Sequence, residues 1–159
     1  MKFAGIGSRS TPPDILIQMT KIASAFESLG YTLRSGGAKG ADQTFERGIT
    51  SLKEIFYSKD ATKESIDLAL KYHPNPGALK RKGKYVLGLI GRNMQILLGR
   101  DLNDPVDFVV CWTPDGQASG GTGQAMRVAM DKNIPIYNLH NSKDIELLRE
   151  LYQEKKDAL

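Results

Sequence analysis

Three glycine-rich segments of this sequence have the composition of phosphate-binding loops. They are Gly5–Arg9, Ser35–Asp42 and Thr113–Gly123. Glycine lets a ligand approach the backbone closely, and a helix that follows such a loop offers unpaired N–H groups and the positive end of its dipole to an anion. We therefore expect the segments to bind the phosphate of a nucleotide or of a nucleotide-derived small molecule.

The candidate ligand-binding residues are small, hydroxyl-bearing or basic, so they supply backbone and side-chain donors. Arg92 and Asn93 stand together within a segment of helical periodicity, and a guanidinium can pair with phosphate through two parallel hydrogen bonds. An outward-facing polar pair is the competing interpretation. The full candidate set is Gly7, Ser8, Arg9, Ser35, Gly36, Gly37, Lys39, Asp42, Arg92, Asn93, Thr113, Gly120, Gly121 and Thr122.

Two common nucleotide-binding motifs are incomplete in these segments. The first segment resembles the dinucleotide fingerprint, but Ser10 stands in place of its third glycine, and Arg34 stands where an acidic residue would hold the ribose. The second segment contains Lys39 but lacks the Gly-Lys-Ser/Thr ending of a P-loop. These departures disfavour a nicotinamide-dependent oxidoreductase and a P-loop NTPase.

Two carboxylates are candidates for catalysis. Asp42 at the start of a predicted helix could bind a ribose hydroxyl or act as an acid or base, and Glu46 follows one turn later. Either could act on the sugar side of an N-glycosidic bond, whereas the alternative for Asp42 is a structural role at the helix dipole. The two histidines are far apart and there is one cysteine, so we expect no metal and no cofactor.

Predicted strands and helices alternate along the whole chain. Short apolar runs predict strands at 2–6, 31–34, 53–57, 106–112 and 134–139, and helical periodicity lies between them. This order predicts an α/β fold, a single Rossmann-like domain over 1–159 with a mostly parallel sheet and helices on both faces. The glycine segments follow strands, so they should meet at the carboxyl edge of the sheet.

Charge and composition constrain the partners weakly. The formal net charge is +4 and the densest basic stretch is Lys80–Lys84, which is either a solvated loop or a contact for single-stranded nucleic acid. The first residues lack the features of a signal peptide, and no apolar run reaches membrane-spanning length. We expect a cytoplasmic protein with no membrane partner.

The same segments resemble those of a known group, the SLOG superfamily, which includes the Smf/DprA DNA-processing proteins and the "lonely guy" phosphoribohydrolases. Gly5–Arg9 resembles its first phosphate loop, and Ser35–Asp42 is similar to the Smf-type Ser-Gly-x-Ala-x-Gly-x-Asp signature. Gly120–Thr122 resembles the later Gly-Gly loop, and Arg92-Asn93 the Arg-Asn pair of the DNA-processing branch. The resemblance implies a Rossmann-like sensor or enzyme for nucleotides, nucleotide-derived signals or single-stranded DNA, commonly a homodimer or higher oligomer.

One departure bears on the choice among these functions. The phosphoribohydrolase branch has a catalytic glutamate after its glycine loop, whereas here Gln124 follows Gly123 and no acidic residue precedes Asp131. The leading hypothesis is therefore binding of a nucleotide or nucleotide-derived ligand. A nucleotide-processing enzyme that cleaves an N-glycosidic bond and a single-stranded DNA-binding protein are the alternatives.

Overall fold

The computed structural model describes residues 1–159 and contains one sheet of five parallel strands. The spatial order is β3-β2-β1-β4-β5, with neighbouring strands parallel throughout. The predicted α/β class and the Rossmann-like parallel sheet are thus confirmed. The strands are β1 (Lys2–Gly5), β2 (Thr32–Gly36), β3 (Lys53–Phe56), β4 (Phe108–Cys111) and β5 (Ile136–Asn138).

Seven helices flank the sheet, and a 3₁₀ turn, Ser58–Asp60, follows β3. The short α4 lies where Pro74–Gly77 predict, from their residue types, the end of the preceding helix and a loop. It forms because the Asn75 side chain accepts a hydrogen bond from the Ala78 N–H at 3.1 Å, and because Pro76 suits a first helical position. The helices are α1 (Pro13–Ser28), α2 (Ala41–Arg47), α3 (Lys63–Tyr72), α4 (Pro76–Lys80), α5 (Lys84–Leu98), α6 (Gly120–Asp131) and α7 (Ser142–Asp157).

The central strands β1, β2 and β4 are buried on both faces, so alternate side chains enter two separate cores. Phe3 and Phe108 stack with ring centroids 5.5 Å apart in the core that α1, α2 and α7 cover. Ala4 and Val109 point the opposite way, into the core that α3, α5 and α6 cover. These two cores hold the central strands, and with them the loops at their carboxyl ends.

The chain leaves β1 and β4 toward opposite faces of the sheet. α1 follows β1 in the first core, whereas α6 follows β4 in the second. In parallel α/β sheets this divergence opens a crevice outside the carboxyl ends of the two central strands, where ligands commonly bind. None of the helices combines the length and the apolar character that a membrane span requires.

Arg34, which stands in place of the ribose-binding acid of dinucleotide folds, has a structural role. It is 1% exposed, and its guanidinium donates to the Asp104 main-chain oxygen at 2.5 Å and to Asp104 Oδ2 at 2.6 Å. Glu54 lies 3.4 Å from its Nε. The side chain therefore anchors the segment after α5 to β2 and is directed away from any ligand.

Candidate functional site

The three glycine segments line a single cleft of about 1330 Å³ at the carboxyl edge of the sheet, together with residues of α5 and of the segment after β3. The convergence that the sequence predicted is therefore present. Eleven of the candidate binding residues border this cleft. They are Gly7, Ser8, Arg9, Gly37, Lys39, Asp42, Arg92, Asn93, Gly120, Gly121 and Thr122.

The first two segments contact each other through glycine. A Cβ on Gly7 would lie 2.5 Å from the Cβ of Ala41, so any side chain there would push α2 away from β1. Gly40 has φ +94°, which favours glycine, and lies close to the backbone of Arg9. These contacts bring Arg9 and Lys39 to the same side of the cleft.

Some glycines of the third segment pack within the protein, and others face the cleft. Gly123 packs against Ala118, whereas Gly120 and Gly121 would have no atom within 4 Å of an added Cβ. The Ser119 hydroxyl donates to Asp115 Oδ1 at 3.1 Å and leaves the first N–H groups of α6 uncapped. These N–H groups have no partner within the helix and stand at the cleft, available to an anion.

Three predicted binding residues lie behind the cleft rather than on its surface. The Ser35 hydroxyl donates to the Gly5 main-chain oxygen at 2.5 Å, and the Thr113 hydroxyl accepts from Asn138 Nδ2 at 2.7 Å. Both side chains are fully buried and join neighbouring strand ends. Gly36 lies beneath Arg92 and Asp42. Their contribution is to position the loops.

The two candidate catalytic carboxylates have different positions. The Glu46 carboxylate pairs with Lys53 Nζ at 2.9 Å and does not border the cleft. Asp42 borders it and is 7% exposed. Burial raises the pKa of Asp42 to about 6, and the Arg92 guanidinium offsets part of that rise. Of the two, Asp42 is thus the carboxylate that can meet a ligand.

Arg92 is held in place beside Asp42. Its Nη1 donates to the Phe56 main-chain oxygen at 3.0 Å, and its Nε donates to Asn93 Oδ1 at 3.0 Å. Its Nη2 lies 3.9 Å from Asp42 Oδ2. We call Asp42 and Arg92 the cleft floor. Gly36 is required beneath this pair, because an added Cβ would lie 2.6 Å from Asp42 Oδ2 and closer still to the guanidinium.

Sequence reasoning missed two tyrosines and a lysine at the cleft. Tyr57 is 47% exposed and Tyr85 is 67% exposed, and Lys59 follows in the same segment as Tyr57. The Tyr57 ring lies directly against Gly37. Tyr57 follows β3, so the rule that ligands bind beyond the carboxyl ends of strands was the signal that could have found it.

The cleft carries a positive charge. Arg9, Lys39, Lys59 and Arg92 border it, and Asp42 is the one carboxylate among its lining residues. Arg9, Lys39 and Lys59 are exposed, and none of them takes part in an ion pair. These three charges are therefore free to meet an anionic ligand.

A solved structure of DNA processing protein A from Helicobacter pylori resembles this chain, with a TM-score of 0.57 over 96% of this chain and 73% of that one. The likeness is one of fold, since sequence identity is 18%. The Helicobacter protein is described as having a unique single-stranded DNA binding mode. No protein-family model and no curated protein matches this sequence. The Rossmann-like fold of a DNA processing protein is thus shared, whereas the wider superfamily resemblance stays a prediction.

Proposed function

We propose that the cleft at the carboxyl edge binds single-stranded DNA. The observation that carries this proposal is the combination of unpaired cations with exposed tyrosines in one groove. Proteins that bind single strands commonly join a positive groove, which follows the backbone, to aromatic rings on which bases stack. Here Arg9, Lys39 and Lys59 supply the charge, and Tyr57 and Tyr85 supply the rings.

The dimensions of the cleft favour a polymer over a single nucleotide. Small-molecule pockets usually enclose about 300–1,000 Å³ and bury most of their ligand. This cleft holds about 1330 Å³. The exposed basic stretch Lys80–Lys84 immediately precedes Tyr85 in the chain, so a strand that passes Tyr85 would meet further positive charge. The fold shared with a protein described as binding single-stranded DNA also supports the proposal.

A titration with a fluorescently labelled thymine oligomer of about 15 nucleotides tests the proposal. We expect an increase in anisotropy that saturates for the wild type and weakens steeply as salt is added, because phosphate contacts release counterions. Absence of a complex at low salt would contradict the proposal.

The tyrosines provide a sharper prediction within the same titration. Replacing Tyr57 or Tyr85 by alanine should weaken binding by about 5- to 150-fold each, because a stacked base contributes about 1–3 kcal/mol. Phenylalanine at either position keeps the ring and serves as the matched control, so it should bind nearly as well as the wild type. Equal affinity of the alanine and phenylalanine variants would show that no base stacks there.

A nucleotide or nucleotide-derived small molecule is the second candidate ligand. The observation that favours it is Asp42, because a buried carboxylate with a pKa of about 6 suits binding of a sugar or proton transfer at neutral pH. Nucleoside monophosphates should then displace the thymine oligomer at low concentration. An N-glycosidic activity would also release free base, and chromatography would detect it.

A further inference from the structure

Asp42 is the buried carboxylate of the cleft. It is more than nine-tenths buried, and the Ala38 N–H, the Ser35 hydroxyl and Arg92 all lie near it and lower its pKa. None of these contacts is a hydrogen bond of good geometry: the Ser35 hydroxyl donates to the Gly5 main-chain oxygen, and Arg92 Nη2 lies 3.9 Å away. Burial outweighs these contacts and raises the pKa to about 6, so a ligand that brought well-aligned N–H groups to the ionised carboxylate would stabilise it.

Arg92 adds a fixed donor beside this acceptor. Two of its nitrogens are held by Phe56 and Asn93, while Nη2 makes no hydrogen bond and lies 3.9 Å from Asp42 Oδ2. The cleft floor thus presents an acceptor and a donor side by side. A phosphate would meet the negative charge of Asp42, so the floor better fits a neutral group that carries both donors and an acceptor.

An aromatic ring lies near the cleft floor. The Tyr57 ring packs against Gly37, which lies in the loop between Gly36 and Asp42. A planar base that stacked on this ring would be close to the floor, where its hydrogen-bonding edge could be read. In single strands the Watson–Crick edges are free for such contacts.

We propose that the cleft floor reads a guanine base, an inference that rests on the proposed binding of single-stranded DNA in the same cleft. The Watson–Crick edge of guanine carries two neighbouring donors, N1–H and the 2-amino group, next to the O6 acceptor. The two donors match the carboxylate of Asp42, and O6 matches Arg92. Adenine, cytosine and thymine each lack the pair of adjacent donors.

The test uses thymine oligomers that carry one central guanine, inosine or adenine. Inosine lacks the 2-amino group but keeps N1–H and O6, so it removes one donor to Asp42 and changes little else. We expect the guanine oligomer to bind the wild type about tenfold more tightly than the inosine oligomer, the usual effect of one hydrogen bond to a charged group. This comparison needs no variant of the protein.

Two variants locate the selectivity. Asp42→Asn keeps the size of the side chain and should reduce the preference for guanine over inosine to about one. Asp67→Asn removes the same charge from an exposed position of α3 and should keep the preference. Thermal unfolding of both variants is measured alongside, so that a loss of folding is recognised.

The pH dependence of base preference provides a second test on the wild type. Because the pKa of Asp42 is about 6, its carboxyl is mostly protonated at about pH 5 and mostly ionised at about pH 8. Arg92 is the charged side chain that faces it. The ratio of guanine to inosine affinity should therefore fall toward one as the pH decreases through this range.

The outcomes separate the two proposals. Equal binding of all the oligomers would overturn guanine reading and leave the binding of single strands intact. Thymine oligomers with a ribonucleotide at the central position test the sugar. If they bound more tightly than their deoxyribose counterparts, whatever the base, Asp42 would be assigned to the sugar and guanine reading would be overturned. No binding of any oligomer would overturn the proposed function and this inference together.

Discussion

Replacing both Arg9 and Lys39 by alanine should weaken binding of the thymine oligomer by at least about 100-fold at moderate salt. Both cations border the cleft without an ion pair, and a hydrogen bond to a charged group contributes about 1.5–3 kcal/mol. Two lost phosphate contacts should also reduce the slope of log affinity against log salt concentration by about 1.4. Anisotropy titrations at several salt concentrations measure both quantities.

The matched control removes two positive charges elsewhere. Lys21 on α1 and Lys156 on α7 are exposed and do not border the cleft. Their double alanine variant should bind within about twofold of the wild type and keep its salt slope. Equal losses in the two double variants would mean that net charge, rather than the cleft, determines binding.

Gly36→Ala should reduce both stability and DNA binding. The added Cβ would lie 2.5 Å from Arg92 Cζ and 2.6 Å from Asp42 Oδ2, so the pair that forms the cleft floor must move. Overpacking of this kind costs about 1–3 kcal/mol, and the displaced guanidinium should weaken binding by at least about tenfold. Chemical denaturation and anisotropy titration measure the two effects.

Gly77→Ala is the control for this variant. Gly77 lies in α4, and an added Cβ would have no neighbour closer than 3.9 Å, so alanine should leave the stability unchanged or slightly higher. It lies outside the cleft lining. A Gly36→Ala protein that bound DNA as tightly as the wild type would show that the floor does not contact the ligand.

The fold could be predicted because its signals are local. Strand β4 falls within the apolar run predicted at 106–112, and each glycine segment follows a strand, which sets the edge where the loops meet. The short α4 was missed because the proline and glycine that normally end a helix here begin one under the Asn75 cap. The hydrogen bond from Ala78 N–H to the Asn75 side chain therefore favours the start of a helix over a loop.

The cleft was predicted less completely than the fold. Ser35 and Thr113 were predicted to contact a ligand because they carry hydroxyl groups. Both hydroxyls are instead buried among neighbouring strand ends, and residue type does not reveal which way a side chain points. The proximity of Asp42 and Arg92 depends on α2 and α5 each packing against β2, although the two helices lie far apart in the sequence. The expected homodimer stays a prediction.

In the proposed complex, the glycine segments and the cations beside them contact single-stranded DNA. Backbone amide shifts recorded by NMR during titration with the thymine oligomer report these contacts residue by residue. We expect the largest shifts at Gly7, Gly37 and Gly121 around the cleft. Shifts confined to the opposite edge of the sheet, around Tyr31 and Asp107, with unchanged amides at the three glycines, would contradict the proposed complex.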